Sequence, residues 1–295
     1  MTAETSEVTY VPDRENTWRF VPKHFAIFIV LMSVWEAANR MGLADPLMFP
    51  RPSRIAEGMV QIFFLKGTVW EHLAATFTKA MGGFVIGTVI GMALAIGAVL
   101  HTGFRDYLKP YIILVEAMPR IAVGPIFVGW LGFGYGSAIA LAALVCFFGP
   151  FVNTMTGLMQ IDEESEELFR SCRASKKQIF FKLMVPNAMP LISAGLKLAA
   201  AGAFAGALVA EFIQADVGLG VMMRRYVITL NMDYAFSTLL SITVFAFVLF
   251  RSIEIMNYRI LYWHSEELMQ RRSKRRASEF AAIMNTQASG TGGQS

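Results

Sequence analysis

Residues 161–190 read IDEESEELFRSCRASKKQIFFKLMVPNAMP, a polar island that opens where an uncharged stretch from Ile121 to Ile161 closes. Asp162 is placed to cap a helix whose first turn carries Glu163 and Glu164, acids that suit the positive end of the helix dipole. That helix is expected to run to about Cys172. Ser175 followed by Gln178 has the spacing of a capping box, so a second helix is expected from Lys176. Pro186 is expected to stop it and to bias Val185 away from helical backbone. Leu168, Phe169 and Cys172, then Ile179, Phe180, Leu183 and Met184, recur at helical spacing and give each short helix one apolar and one charged face. Two amphipathic helices thus meet at an elbow, Arg173-Ala174. From spacing alone they either rest on a lipid surface or present a knob to a soluble partner.

Outward from this island the chain is apolar. Of its 295 residues 55% are hydrophobic and 16% charged, and the mean hydropathy is +0.49. Soluble domains carry about 25% charge, so an ordinary cytosolic enzyme is excluded. Counting about 20 apolar residues per crossing predicts six spans, near 22–42, 74–100, 108–131, 135–158, 190–213 and 235–260. Met81–Leu100 holds no charge, and LGFGYGS, with Gly132, Gly134 and Gly136, marks a tight turn between the fourth span and the third. Glu36, Asn39 and Arg40 crowd the far end of the first. With both termini inside, roughly 16 basic residues fall in inner segments against 6 in outer ones, which orients the chain with cytoplasmic termini. The polar tail 1–21 has no signal-peptide core. Tail 265–295 carries the basic run Arg271–Arg276, suited to anionic headgroups, and ends in a disordered composition. Between the tails, 22–264 forms one membrane domain with its loop at 159–187.

The net charge of +4 does not gather on a soluble face, so nucleic acid is not an expected partner; membrane lipids are. Cys146 and Cys172 supply no disulfide framework. His24, His72, His101 and His264 lack metal-ligand spacing and are expected as interfacial side chains. Within the spans, Glu116 and Arg120 lie four residues apart. They are expected either to neutralise one another on one helix face or to leave Arg120 facing a solute pathway. Pro119 and Pro125 would free backbone carbonyls beside them. Lys197 is expected near the inner surface and Glu211 near the outer one, where long side chains reach water. Gly83, Gly87 and Gly91, and Gly202 and Gly206, strip helix faces for close packing, or for sliding during a conformational cycle.

The segment Glu167-Leu168-Phe169-Arg170-Ser171-Cys172-Arg173-Ala174-Ser175, continuing to Val185-Pro186 and Ala188-Met189-Pro190, resembles the EAA motif of ABC importer permeases, in the nitrate/sulfonate/bicarbonate/taurine-type branch. Trp35-Glu36, Phe49–Ser53, Met118–Gly134, Gly195–Ala199, Val209–Phe212 and Gly218–Gly220 also fit, so the likeness spans roughly residues 30 to 264. Two positions depart from the motif. Its Ala-Ala pair is Leu168-Phe169 here, and its usual glycine is Arg173, which must either accept a left-handed backbone at about 1 kcal/mol or give the elbow another geometry.

The resemblance implies an all-α membrane protein of the type I ABC importer permease fold, with six transmembrane helices and a cytoplasmic EAA coupling-helix loop. It implies that Glu166, Glu167, Leu168, Phe169, Arg170, Arg173, Ala174, Ser175, Pro186 and Pro190 couple to an ATPase, with Phe169 and Phe180 as apolar anchors. Glu116, Pro119, Arg120, Pro125, Lys197 and Glu211 are the candidates for the translocation pathway. The chain contains no G-x-x-x-x-G-K-[ST] loop, so ATP and magnesium are expected on a partner and no cofactor or catalytic site in this chain. The implied unit has two ATPase subunits, a second permease copy and an extracytoplasmic solute-binding protein at a bacterial inner membrane. The branch points to a nitrate, sulfonate or taurine-like anion or another small organic solute. The LFRS form of the motif and Tyr262-Trp263-His264 are similar to permeases for pyrimidine vitamin precursors. A secondary transporter or channel is the rival from another class, and it gives no reason for the capped helix pair.

Overall fold

A computed structural model describes residues 17–43, 45 and 47–260, and every structural statement below concerns these. The N-terminal tail up to residue 16, His264, Tyr262-Trp263-His264 and the 265–295 tail lie outside them. The described chain is helical, with no strand. Helices α1 (Thr17–Arg40), α2 (Pro52–Val60), α3 (Thr68–Leu100), α4 (Thr102–Ala117), α5 (Gly124–Leu131) and α6 (Tyr135–Met159) are followed by α7 (Glu163–Ser171), α8 (Lys176–Ile179), α9 (Val185–Gln214), α10 (Leu219–Ile228) and α11 (Met232–Ile260). Four stretches are long and apolar enough to cross a membrane: Thr68–Leu100, Tyr135–Met159, Lys176–Ile213 and Met232–Asn257. A bent pair, Thr102–Ala117 with Arg120–Leu131, brings the number to five. The first expected span is the helix α1, which is not among these stretches of the described residues.

Two compact units divide the chain. In the first, residues up to Glu71 join Met222–Ser241. Here Glu36 accepts the backbone N–H of Ser53 at 3.2 Å and its hydroxyl at 3.0 Å, so a carboxylate on α1 caps the start of α2. The Ser237 hydroxyl donates to the Ile55 carbonyl at 2.8 Å, and Trp35 meets Phe236 edge to face.

In the second unit, His72–Val221 with the residues from Ile242 on, α6 lies between α3 and α9. Small residues set the spacing. A Cβ on Gly83 would stand 2.3 Å from that of Ala142, and one on Gly206 would stand 2.9 Å from the Cα of Ala142. Such backbone approach lets dispersion hold helices that lipid would otherwise solvate equally well. Ala138, Leu141 and Ala210, then Cys146, Ala199 and Ala203, then Leu158, Ala188 and Ile192 form successive buried clusters along this seam. The break at LGFGYGS is as the sequence predicts: Gly132 and Gly134 take φ of +76° and +120°, values that favour glycine, and α6 starts at Tyr135.

The third expected span, 108–131, is not one helix. It turns through 90° between α4 and the segment from Arg120. Met118 and Pro119 are extended, with ψ of 132° and 92°, because a residue before proline avoids helical backbone and proline cannot donate to the ladder.

Candidate functional site

The loop between α6 and α9 folds as its sequence directs at three points. Asp162 caps α7 by accepting the N–H of Ser165 at 3.3 Å. Ser175 and Gln178 form a reciprocal capping box, Gln178 N–H to Ser175 Oγ at 3.3 Å and Ser175 N–H to Gln178 Oε1 at 2.7 Å. The elbow between them is left-handed, with Arg173 at φ +54°. The N–H of Ala174 reaches the carbonyl of Phe169 at 3.0 Å and that of Arg173 reaches Arg170 at 2.9 Å, the pairing of a Schellman C-cap. Arg173 therefore accepts the strained backbone that the glycine of the related motif would take freely.

The side chains of the pair divide into two sets. Glu166 holds Arg170 through contacts of 2.6 and 3.1 Å, so these two are spoken for within α7. Glu167 is exposed, and Leu168 and Phe181 are 63% and 67% exposed. Phe169 is half-buried. Phe180, expected as an outward anchor, packs against the Leu158, Ala188 and Ile192 cluster instead, and the neighbouring Phe181 faces out.

Pro186 does not stop the second helix. A π-turn, Phe180–Met184, lets the N–H of Val185 bond to the carbonyl of Phe180, and Pro186 enters as the second residue of α9. The wider turn removes the clash that a proline ring makes with an α-helical carbonyl. Pro190 is carried inside α9. The result is a continuous helix, Lys176–Ile213, of 38 residues, about 57 Å at 1.5 Å per residue. Asn187 ties its near end to the end of α6 by donating to the Gln160 carbonyl at 2.6 Å.

At the far end of this rod stands Glu211, which was expected to reach outer water. It is wholly buried and paired with Lys79 of α3 at 3.0 Å, the two side chains being 0% and 1% exposed. An unpaired charge could not remain there, and the pair together with further hydrogen bonds answers the desolvation cost. Glu211 accepts the Thr76 hydroxyl at 2.9 Å and the Gly220 N–H at 2.9 Å. Thr76 in turn accepts the Leu219 N–H at 2.9 Å, His72 Nδ1 accepts that of Gly218 at 2.9 Å, and Lys79 donates to the Val217 carbonyl. The turn from Val217 to Gly220 and the first turn of α10 are thereby held on α3 and α9. Gly218 is obligatory: φ is +145°, and a Cβ would fall 2.0 Å from a Glu211 carboxylate oxygen. Of this cluster the sequence singled out Glu211 and Gly218–Gly220 but not Lys79 or Thr76, and His72 only as an interfacial side chain. Lys79 carried a signal, a lone cation at the start of a charge-free span, with its partner 132 residues away.

Glu116 and Arg120 do not pair among the described residues, since the 90° bend removes the shared face. Arg120 donates to the Val145 carbonyl at 3.3 Å and lies 5.2 Å from the centre of the Phe148 ring. Glu116 and Pro125 are exposed. Lys197 is exposed on α9 in a groove of about 550 Å³ shared with Arg251 and Glu254 of α11. No group of His, Cys, Asp and Glu suited to a metal ion occurs among the described residues.

Residues 73–262 match the family described as binding-protein-dependent transport system inner membrane component. The formylaminopyrimidine transport permease protein ThiX of Halalkalibacterium halodurans is 30% identical over 240 residues, 81% of this chain and 95% of that protein. The taurine transport system permease protein TauC of Escherichia coli is 29% identical over 262 residues, 86% and 95% of the two chains. Among solved structures, an inward-facing conformation of the MetNI methionine ABC transporter shares the fold with a TM-score of 0.51 at 21% identity, covering 68% of this chain and 96% of that one. With the capped helix pair and the helical bundle in place, this chain belongs to the family of binding-protein-dependent inner membrane transport components, as an ABC importer permease of the type I fold.

Proposed function

We propose that α7 and α8 are the coupling helices through which two separate ATPase subunits drive this permease, which works with a second copy of itself and a solute-binding protein. The observation that carries the reading is the Schellman elbow joining two capped helices, which fixes Glu167, Leu168 and Phe181 outward while Phe180 and Asn187 root the loop in the bundle. Glu167 offers a charge to a basic partner residue, and the two exposed apolar side chains offer anchors for a groove. Glu166 and Arg170 brace α7, and Arg173, Ala174 and Ser175 shape its elbow. ATP and magnesium belong to the ATPase. Both termini lie in the cytoplasm, with residues 1–21 and 265–295 as polar tails flanking the membrane domain. A helix that continues from the coupling loop into the bundle gives displacement a direct route into the membrane.

The solute we infer is a small organic or sulfonate-like molecule delivered by the binding protein. Relatives named for the transport of taurine, aliphatic sulfonates and formylaminopyrimidine support that class. In the complete transporter reconstituted into vesicles, Glu167→Lys is expected to abolish stimulated ATP hydrolysis and uptake while the permease still inserts. Uptake at the wild-type rate would remove the coupling assignment. Binding of taurine, an alkanesulfonate and a formylaminopyrimidine to the cognate binding protein, measured calorimetrically, separates the solute classes.

A further inference from the structure

The buried cluster at the far end of α9 has the form of a remote helix cap. α10 begins at Leu219, and the donors of its first turn are met by side chains brought from elsewhere: Leu219 N–H by Thr76, Gly220 N–H by Glu211. The preceding turn is pinned at Val217 by Lys79 and at Gly218 by His72. Helix starts are ordinarily capped by a hydroxyl or carboxylate two or three residues away, at far smaller loss of chain entropy. A buried ion pair is also a weak source of stability, because two apolar side chains of similar volume often serve as well. What the charged and hydrogen-bonded arrangement supplies, and an apolar one does not, is directional attachment. Each bond fixes one backbone group of the turn relative to α3 and α9.

Glu211 is borne on the same helix, Lys176–Ile213, whose near end is the Ser175-capped member of the coupling pair. We propose that Thr76, Lys79 and Glu211 are positioning residues for transport: they fasten the turn before α10 to the distal end of that rod, so that a displacement entering at α8 is delivered at the opposite mouth of the permease. This rests on the coupling reading given above. The turn then moves as part of the rod, with no slack, and the rigidity of the cluster sets how much of the stroke arrives.

The test uses the complete transporter in sealed vesicles, with Cys172→Ser and with Asp216→Cys as a reporter in the exposed part of the turn. The probe is a membrane-impermeant maleimide, and the states compared are nucleotide-free and trapped with ATP and orthovanadate. On the Thr76 background, labelling of the reporter is expected to change at least about fivefold on trapping, the scale of an ordinary coupling between sites. Thr76→Val, which keeps the volume but removes the hydroxyl that bridges Glu211 and Leu219, is expected to bring that change below about twofold while ATP hydrolysis and vanadate trapping persist. Thr76→Ser should restore it. The double change Lys79→Met with Glu211→Met should assemble and behave as Thr76→Val does.

A trapping-dependent change of wild-type size in Thr76→Val or in the double variant overturns the proposal. So does the absence of any change on the Thr76 background, and so does failure of Thr76→Val to assemble, which would leave the cluster a folding role only. The coupling reading fails separately, by wild-type uptake in Glu167→Lys. Were Glu167→Lys defective and Thr76→Val indistinguishable from wild type, only the distal assignment would fall.

Discussion

The two ends of the rod are built on opposite principles. At the coupling end, Asp162 and Ser175 cap helices that begin one residue later, and the bonds that shape α7, the elbow and the start of α8 join residues at most five apart. At the far end, α10 is capped by Thr76 and Glu211, and Glu211 is itself held by Lys79 across 132 residues of sequence. Local caps form as the chain passes and leave the segment open to water and to a partner. Remote caps form only when the bundle has closed and tie separate helices into one body. The start of α2, capped by Glu36 from α1, follows the second principle. An exposed element that must bind and release is thus secured by short-range bonds, and an element that must hold its place is secured by long-range ones.

Leaving a charge unpaired or forcing the turn at the far end is expected to lower the stability of the fold, and substitutions at the coupling end are not. The largest effect is expected from Lys79→Met, which leaves the Glu211 carboxylate buried without its counter-charge. About 3 to 5 kcal/mol of stability should be lost, seen as a fall in the thermal midpoint of the purified permease and in the yield of assembled transporter. A loss under about 1 kcal/mol would mean that Glu211 is not held as a charge by Lys79. Gly218→Ala comes next. It places a side chain on a backbone at φ +145° and against the Glu211 carboxylate, and about 2 to 3 kcal/mol is expected from the strain and the displaced hydrogen bonds. The same midpoint measurement ranks the two.

These positions also mark where sequence reasoning succeeds and where it stops. The caps of α7 and α8 were legible because a cap is written within three residues of the helix that it starts. Four of the six expected spans were legible as single helices because hydrophobic length is a local sum. The α3–α6–α9 seam was half legible: Gly83, Gly87 and Gly206 announced close packing but not the partner, which is α6 for both flanking helices. Lys79–Glu211 was hidden, since nothing near either residue specifies which of several spans will supply its partner. The bend at Pro119 misled for a related reason. Apolar content measures the length of a crossing and is blind to its direction, so the four-residue spacing of Glu116 and Arg120 points to a common face that a 90° turn removes. Pro186 misled in the opposite sense, because a π-turn absorbs a proline at the cost of one irregular turn and leaves no trace in composition.

At the coupling end a smaller and purely local effect is expected. Ser175→Ala removes the hydroxyl that accepts the Gln178 N–H, worth about 1 kcal/mol. Because α8 is held locally, the loss should appear as exchange of the Gln178 amide with solvent about fivefold faster, with the thermal midpoint of the permease unchanged. A drop in the midpoint equal to that of Gly218→Ala would show that the local cap carries global stability, and the distinction between the two ends would not stand.

The smallest effect, and the one of opposite sign, belongs to Arg173→Gly. The elbow holds Arg173 at φ +54°, where a side chain bearing Cβ is strained by about 1 kcal/mol and glycine is not. The two Schellman bonds, Ala174 N–H to Phe169 and Arg173 N–H to Arg170, lie on either side of that residue. Glycine should therefore strengthen them, slowing exchange of the Ala174 amide by about threefold, part of the relieved strain being offset by the greater freedom of glycine in the open state. Faster exchange would mean that the arginine stabilises the elbow by a contact that outweighs the strain. Uptake and ATP hydrolysis then separate geometry from charge. If the guanidinium serves only to fill the position, the glycine variant couples at least as well as the wild type, since its elbow is better ordered. If coupling weakens while the Ala174 amide is better protected, the strain at Arg173 is tolerated because its charge meets the partner subunit, and the local end of the rod holds one residue placed for binding at the expense of its own backbone.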